Sequence, residues 1–422
     1  MDFIKLQIKD SKHVKSVKLF LESHNQLNKT RKIEVNLGIF SIYSTLTSID
    51  CDYLQQFDFE YYSLSPNLSS RSLRVTIQEY LQGVNDEETI LQLSIPKKWS
   101  IYPPLVLFPM NSFDGDIWKR VFGQVDKSEF FQHILGYIST LSSSQLTHMA
   151  INQPIIESDV MRRPFNITPV YGDFGPDPSY DMWEHPTDDN LKEAFWCSVV
   201  QNGIYQTWAP KYTMFSRGNI KEKARVLKFD DIKSNTVIDM YCGIGYFSLS
   251  YLKAGAGELF GWELNPWSIE GFIRALKHNK FYNYVKFKQG DDFNYTIYQT
   301  LRKSGVNIFL FEENNGHIIE RFSTFPPNDM KVAHVNLGLL PSSQGSWEVT
   351  KEVLEKYNSF PTPMVHIHEN VHVDDFQKFQ LEAKEKFLQN NSAQVVIKHL
   401  EKVKTFAPSI WHIVVDLQMT YK

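Results

Sequence analysis

Residues 236–263 contain the pattern that most restricts how this chain can fold. A short apolar run ends at Asp239, and a tight turn with Gly243 and Gly245 follows it. An apolar stretch of helical period comes next, and a second apolar run then ends at Glu263, twenty residues after Gly243. This order predicts a strand–turn–helix–strand unit of the kind that binds nucleotides in parallel α/β sheets.

The residues of this unit favour S-adenosylmethionine over a dinucleotide. A dinucleotide fingerprint requires a third glycine where this chain has Ser248, so no pyrophosphate site is predicted. Asp239 suits a cationic ligand, and Glu263 can accept hydrogen bonds from two ribose hydroxyls. The alternative is an ordinary turn between a strand and a helix of some other α/β protein. We expect the cofactor-binding residues to include Asp239, Gly243, Gly245 and Glu263.

The overall composition indicates a globular protein rather than a polycation or a membrane protein. The 422 residues carry 44 basic and 48 acidic side chains, so nucleic-acid binding would depend on local basic patches. No apolar run approaches the roughly 20 residues of a membrane span. Cys51, Cys197 and Cys242 have neither disulfide nor zinc spacing. Since a signal-peptide pattern is also missing, we expect a soluble, cytoplasmic protein that binds no membrane.

Two changes in composition predict three regions. Residues 1–171 mix strand and helix patterns, including a strand predicted at Leu73–Tyr80, and are expected to form an α+β region. Residues 172–230 hold an acidic, proline-containing linker, a β-hairpin turning at Asn202-Gly203 and a basic segment. Residues 231–422 alternate strand and helix patterns and are expected to form the domain that binds S-adenosylmethionine.

The third region predicts a parallel sheet that an antiparallel hairpin completes. Its strands are predicted at Thr236–Met240, Glu258–Trp262, Val285–Lys288, Val332–Leu337, Met364–His368, Ala393–Glu401 and Ile410–Gln418. Ile308–Glu312 is a weaker candidate strand, and residues 304–329 are interpreted as an insertion. This is the layout of class I S-adenosylmethionine-dependent transferases. The predicted fold class is α/β, with a Rossmann-like transferase domain preceded by smaller α+β domains.

Two further motifs follow predicted strands, where α/β sheets bind their ligands. Asp291 and Asp292 follow the third strand, where a polar side chain could reach the adenine amine; the alternative is a turn with a capping acid. Asn336 ends a later strand, and its amide could hold the edge of a base because it both donates and accepts. Gly338 would let a flat ring approach, although a turn explains the same residues.

The basic segment Lys211–Lys228 carries six basic residues and one acidic residue ahead of the first nucleotide-binding strand. Ser216 could begin a helix whose basic face grips RNA phosphates and the carboxylate of the cofactor. The alternative, which composition favours, is a solvated helix face.

Two residue types that often mark metal or covalent chemistry are interpreted otherwise. His366 and His368 lie two residues apart, but no further histidine has ligand spacing, so no metal site is predicted. Cys242 lies inside the glycine turn and is interpreted as core packing rather than as a nucleophile.

Taken together, these motifs resemble the eukaryotic, fungal-like tRNA wybutosine-synthesizing protein 2 family. The resemblance extends over roughly residues 183–416 and reaches residues 95–113. The segments that carry it are residues 214–225, 239–247, 262–266, 335–343, 366–371 and 403–408.

The resemblance implies transfer of the 3-amino-3-carboxypropyl group of S-adenosylmethionine, a co-substrate, to a tricyclic base intermediate at position 37 of tRNA-Phe. It places Ser216, Lys223, Glu263, Asp291 and Asp292 at the cofactor. Asn336 is the expected catalytic residue, and the N-terminal region is expected to bind tRNA. No obligate protein partner is evident. We expect positioning, rather than a strong general base, to supply the rate.

Two alternatives remain open from the sequence. One is a tRNA guanine-N1 methyltransferase acting at the same tRNA position. The sibling methyltransferases carry Asn-Leu-Pro where this chain has Asn336-Leu337-Gly338, which favours the aminocarboxypropyl branch. The other is an RNA-binding protein that keeps the cofactor fold without catalysis.

Overall fold

The structure, a computed structural model, describes residues 2–28, 33–36, 38–63, 72–153, 167–389 and 392–421. The chain divides into two compact units, a smaller one of residues 1–95 and a larger one of residues 96–422. The region boundaries predicted at residues 171 and 230 stay predictions, and the units instead divide between Ile95 and Pro96. None of the described helices is long and apolar enough to cross a membrane.

The smaller unit contains an antiparallel sheet packed against helices. Its strands are β1 (Asp2–Ile8), β2 (Glu34–Asn36), β3 (Ile39–Tyr43) and β4 (Asp58–Ser63), in the order β2-β3-β1-β4. Its helices are α1 (Ser11–Ser23), α2 (Asp52–Gln55), α3 (Leu73–Leu81) and α4 (Glu87–Gln92). Ile4, Leu6 and Ile8 alternate along β1, and they are buried in one cluster with Val17 and Leu21 of α1. The period of two therefore fixes which face of β1 forms the core.

The strand predicted at Leu73–Tyr80 is wrong, because these residues form helix α3. Leu73, Ile77 and Leu81 are buried and lie four residues apart, which is the spacing of one helix face. Ser72 begins the helix, since its side chain accepts a hydrogen bond from the Val75 N–H.

The larger unit begins with a small sheet and a hairpin. The sheet has the order β5 (Ser100–Tyr102), β6 (Leu105–Phe108), β7 (His148–Ile151) and β8 (Thr168–Tyr171), with helices α5 (Asp116–Phe122) and α6 (Lys127–Thr140). Helices α7 (Tyr180–Glu184) and α8 (Asp188–Glu193) lead to the hairpin of β9 (Cys197–Gln201) and β10 (Ile204–Trp208), and α9 (Ile220–Val226) follows. Asn202 and Gly203 both have positive φ, as the predicted hairpin turn requires.

The rest of the larger unit is an eight-stranded sheet with helices. Its order is β13 (Tyr284–Lys288), β14 (Ile308–Glu312), β12 (Glu258–Glu263), β11 (Thr236–Asp239), β15 (Val332–Leu337), β16 (Met364–His372), β18 (Ile410–Thr420) and β17 (Gln394–Ala407). The helices are α10 (Ser248–Lys253), α11 (Pro266–His278), α12 (Tyr295–Lys303), α13 (Ile318–Arg321), α14 (Trp347–Tyr357) and α15 (Phe376–Leu388). The first six strands in this order, from β13 at the edge to β16, are parallel to their neighbours. β18 pairs antiparallel with both β16 and β17. The predicted fold class is confirmed.

Strand β14 corrects the interpretation of residues 304–329 as an insertion. Ile308–Glu312 pairs in parallel with β12 on one side and with β13 on the other, so it is a core strand. Its first four residues are buried, as expected for a strand covered on both faces. β14 therefore separates β13 from the centre of the sheet, which changes the residues that reach the ligand edge.

Candidate active site

The glycine turn after β11 depends on two residues without side chains. Gly243 has φ of +54° and Gly245 has φ of +81°, a region that L-residues with a Cβ rarely adopt. A Cβ on Gly245 would lie 2.5 Å from the ring of Phe272, which is fully buried. A Cβ on Gly243 would lie 2.8 Å from the ring of Tyr246. The turn therefore holds its shape only with glycine at both positions.

The carboxylate of Glu263 is fixed to this turn. One oxygen accepts a hydrogen bond from the Gly243 N–H at 3.0 Å, and the other accepts from the Asn265 N–H at 2.8 Å. Burial raises the pKa of Glu263 to about 7. A carboxylate offers about four acceptor positions, so capacity remains for two hydroxyl donors. Glu263 thus has the hydrogen-bonding capacity that a ribose diol requires.

Glu263 forms part of the wall of a cavity of about 380 Å³, a size typical of small-molecule sites. The walls come from the ends of β11, β12, β14, β15 and β16, from the segment before α9 and from the β17–β18 hairpin. Residues in the lining that the sequence predicted at the site are Ser216, Gly243, Glu263 and Gly338. His368, which was not predicted there, also lines the cavity. Residues not predicted are Met240, Phe247, Trp262, Glu313, Asn314, Asn315, Lys404, Phe406 and His412.

Lys404 lines this cavity, whereas Lys223 does not, and the place of Lys223 at the cofactor stays a prediction. The ammonium group of Lys404 donates to the hydroxyl of Ser216 at 2.9 Å, which joins the β17–β18 hairpin to the segment before α9. The sequence points to Lys404 only because residues 403–408 are one of the segments that carry the family resemblance. No local pattern connects it to Ser216, which is 188 residues earlier.

Lys223 lies behind the glycine turn and does not line the cavity. Its ammonium group donates to Gln206 at 2.5 Å and Gln201 at 3.1 Å, and it lies 4.9 Å from the centre of the Phe215 ring. These partners are uncharged, and burial lowers the pKa of Lys223 to about 7. Gln206 in turn donates to the carbonyl of Gly245, so Lys223 supports the turn from behind.

Asp291 and Asp292 are exposed and do not line the cavity, and their place at the cofactor stays a prediction. The Asp291 carboxylate accepts a hydrogen bond from the N–H of Lys288 at the end of β13. β14 lies between β13 and β12 in the sheet, and the residues after it, 313–315, line the cavity.

Asp239 and Asn336 hold the site together without lining the cavity. Asp239 is fully buried and accepts from the Ser248 hydroxyl at 2.6 Å and from the Asn336 amide at 3.0 Å. The amide oxygen of Asn336 lies 3.2 Å from a ring nitrogen of His368. Ser248, which replaces the third glycine of a dinucleotide fingerprint, thus ties α10 to β11. Asn336 is thus hydrogen-bonded to both Asp239 and His368, and its catalytic role stays a prediction.

The buried histidines form hydrogen-bonded chains. His366 bonds Asp416 at 2.7 Å and His334 at 2.9 Å, and His334 bonds Asp231 at 2.8 Å. Asp416 also pairs with Arg225, and these partners hold the pKa of Asp416 well below its ordinary value despite burial. Among the described residues, no group of three or more potential ligands is arranged to hold a metal ion.

Three of the six basic residues of this segment form ion pairs within the protein. Lys211 donates to Asp177, Lys221 pairs with Glu401, and Arg225 pairs with Glu222 and Asp416. Arg217 is exposed and makes a hydrogen bond of 3.4 Å to the Ser100 hydroxyl. It lines a second cavity of about 600 Å³, together with Lys98, Trp99, Tyr102, Trp208 and Phe215. The RNA contact predicted for the segment stays a prediction, and its exposed basic residues are Arg217, Lys221 and Lys228.

The chain is similar over most of its length to proteins of one family. It is 41% identical over 364 residues to tRNA wybutosine-synthesizing protein 2 of Saccharomyces cerevisiae, covering 77% of this chain and 74% of that protein. The chain belongs to the tRNA wybutosine-synthesizing protein 2 family. The protein of the same name from Schizosaccharomyces pombe is 37% identical over 375 residues, covering 88% of this chain and 83% of that protein. The family predicted from the motifs is confirmed, and with it an S-adenosylmethionine-dependent transferase.

A family model and two solved structures also match the chain. Residues 198–302 match the family model described as the TRM5/TYW2 methyltransferase domain. The structure of Pyrococcus horikoshii TYW2 in complex with MeSAdo aligns with a TM-score of 0.54 at 18% identity, covering 83% of this chain and 100% of that one. Trm5b from Pyrococcus abyssi aligns with a TM-score of 0.53 at 16% identity, covering 99% and 100%. At these identities the solved structures support the fold alone.

Proposed function

We propose that this protein transfers the 3-amino-3-carboxypropyl group of S-adenosylmethionine to the tricyclic, wyosine-type base at position 37 of tRNA-Phe. 5′-Methylthioadenosine is the by-product. Family membership supports aminocarboxypropyl transfer in wybutosine synthesis. The structural observation that carries the proposal is Glu263, whose carboxylate is hydrogen-bonded to the glycine turn on the wall of the cavity.

The residues of the cavity fit the co-substrate chemically. Glu263 would accept the ribose hydroxyls, and Trp262 and Phe247 supply apolar and aromatic wall for the adenosine. Lys404, held by Ser216, would pair with the carboxylate of the methionine arm. The ribose, the apolar face of the adenosine and the carboxylate of the methionine arm thus each have a counterpart in the lining.

The reaction needs orientation more than acid–base strength. The bound sulfonium supplies an electrophilic carbon and a leaving group that needs no proton. Since each carbon on the sulfur is open to attack, the enzyme must present the Cγ rather than the methyl group to the base. Positioning of this kind contributes about 7–11 kcal/mol in favourable cases. The buried bonds behind the turn, from Lys223 and Asp239, support such rigid positioning.

The decisive experiment separates this reaction from methyl transfer. Purified protein is incubated with S-adenosylmethionine and tRNA-Phe that carries the tricyclic precursor, and the spent cofactor is separated by chromatography. Release of 5′-methylthioadenosine, with an aminocarboxypropyl mass increment on the nucleoside, is the expected result. Release of S-adenosylhomocysteine would show a methyltransferase instead, and no turnover would favour an RNA-binding protein.

The substrate partner and the location belong to the same proposal. A tRNA substrate follows from the family, and tRNA-Phe is the specific tRNA proposed. Residues 1–171 are proposed to contribute to its binding, with no obligate protein partner. A cytoplasmic location agrees with the free thiols of Cys51, Cys197 and Cys242.

A further inference from the structure

The second cavity of the larger unit, of about 600 Å³, has a lining of a different chemical kind from that of the proposed co-substrate site. Its described residues combine aromatic rings with two cations and include no acidic side chain. Proteins hold single-stranded nucleic acid with this combination, because bases stack on aromatic rings and phosphates pair with cations. The aromatic residues are Trp99, Tyr102, Phe108, Trp208 and Phe215, and the cations are Lys98 and Arg217.

Trp99 is the aromatic residue of this lining that has room for a base. Phe215 and Trp208 already stack on each other with ring centres 4.4 Å apart, and Tyr102 meets both rings edge-on. Trp99 is half-buried, and its one ring contact among the described residues is a tilted contact with Phe108 at 6.2 Å. Because no described ring stacks on Trp99, a flat base can do so.

Arg217 offers hydrogen-bond donors to an anion in the same cavity. Its side chain is exposed, and its one hydrogen bond within the described chain, to the Ser100 hydroxyl, is 3.4 Å long. This distance is beyond the usual range for such a bond, so the contact is easily exchanged for a better one. A guanidinium group has five N–H donors and binds phosphate through two of them at once. The cavity therefore matches both the base and the phosphate of a nucleotide.

The wall that this cavity shares with the co-substrate cavity is one extended stretch of chain. Thr213 and Met214 line both cavities, Ser216 lines only the co-substrate cavity, and Phe215 and Arg217 line only the second cavity. The backbone of Ser216 is extended, with φ of −94° and ψ of 102°, so neighbouring side chains point to opposite sides. A single stretch of chain thus separates the two cavities, and neighbouring nucleotides of one RNA strand can enter one each.

We propose that the second cavity holds a nucleotide of the tRNA substrate next to the target nucleotide, with its base stacked on Trp99 and its phosphate on Arg217. The inference rests on the proposed function, because it names a second contact of the same enzyme with its tRNA. A target base that enters the co-substrate cavity must leave the stack of bases, and its neighbour then loses a stacking partner. Trp99 would replace that partner and so stabilise the extruded state of the target.

The test is a double-mutant cycle on the full chain, with binding to precursor-bearing tRNA-Phe measured in the absence of S-adenosylmethionine. Trp99→Ala should weaken this binding by roughly 5–150-fold, the range for loss of one base–aromatic stack. Removal of the base on one side of position 37 should weaken wild-type binding by a similar factor. The same removal should weaken binding to Trp99→Ala by less than about twofold, because the stack is already lost.

Three variants and one ligand control this measurement. Trp99→Phe should keep most of the affinity for tRNA, since it keeps an aromatic face. Tyr282→Ala should bind tRNA like the wild type, because Tyr282 is 65% exposed and lines neither cavity. The dissociation constant for S-adenosylmethionine, measured by calorimetry, should be the same in Trp99→Ala, Trp99→Phe and Tyr282→Ala as in the wild type.

Three results would overturn the inference. If the effect of Trp99→Ala disappears only when the base at position 37 is removed, the cavity holds the target base itself. If it disappears with no single base removed, no base of the tRNA stacks on Trp99. If Trp99→Ala binds tRNA like the wild type but no longer binds AMP, the cavity serves a free nucleotide. By contrast, a wild-type protein that releases no 5′-methylthioadenosine would refute the proposed function and leave these binding results unaffected.

Discussion

Gly245→Ala should destabilise the larger unit by an amount that the structure lets us divide into two parts. The first part is the backbone, since an L-residue in the left-handed region costs about 1–2 kcal/mol. The second part is contact, because the new Cβ would lie 2.5 Å and 2.6 Å from two ring atoms of Phe272 and 3.0 Å from Leu249. Phe272 is fully buried and cannot swing aside, and overpacking of this kind costs about 1–3 kcal/mol. The total is about 2–5 kcal/mol.

Gly305→Ala is the matched control for this prediction. Gly305 has φ of +96°, but its added Cβ would have nothing within 4 Å, so only the backbone part applies. Both substitutions restrict the unfolded chain equally, so that contribution cancels in the comparison. The free energies of unfolding of the two variants should therefore differ by about 1–3 kcal/mol.

Urea unfolding followed by tryptophan fluorescence measures this difference in the right unit. All 9 tryptophans, from Trp99 to Trp411, lie in the larger unit, so the signal does not report the unfolding of residues 1–95. Equal transition midpoints for Gly245→Ala and Gly305→Ala would refute the reasoning, because they would show that Phe272 yields at no cost.

Three further predictions concern charge. Glu263→Ala should weaken S-adenosylmethionine binding by about 1.5–3 kcal/mol in calorimetry, and wild-type affinity should fall as the pH drops below about 7, where Glu263 gains a proton. Asp416→Asn should cost about 3 kcal/mol at neutral pH. Because its folded pKa is depressed, this stability exists above the unfolded pKa and is lost as the pH falls below about 4, so acid unfolding curves of wild type and variant should converge. Arg217→Ala should reduce the salt slope of tRNA binding by about 0.9, whereas Lys223→Met should leave it unchanged.

The parts of the site that the sequence predicted are those set by local chemistry. The glycine turn needs positive φ, and the carboxylate at Glu263 follows from the length of one helix and one strand. The start of α11 could likewise be predicted from the sequence, because Asn265 accepts a hydrogen bond from the Trp267 N–H and Pro266 occupies the first turn of the helix. In each case the interacting residues are near in sequence or joined by one short element.

The parts that it missed depend on contacts between distant segments. The sequence of β14 is a short apolar run whose periodicity does not distinguish a buried strand from part of a helix. The position of β14 in the sheet decides whether Asp291 or Glu313 reaches the cavity. Lys404 and Lys223 have the same side chain, and only tertiary packing puts one at the cavity and the other behind the turn. Charge counts in the basic segment could not reveal that Arg225 pairs with Asp416.

The buried polar residues of the large sheet make sense as one hydrogen-bonded series rather than as separate site residues. Burying a polar side chain in a sheet covered by helices costs free energy unless each of its donors and acceptors is paired. A strand of apolar residues would avoid this cost. The series Ser248, Asp239, Asn336, His368 and His412 is paired at every step until its last nitrogen. It begins at the helix after the glycine turn and ends on the opposite wall of the cavity. A reaction that depends on which carbon faces the base needs those two walls held in fixed register, and this series is a physical link that can hold them so.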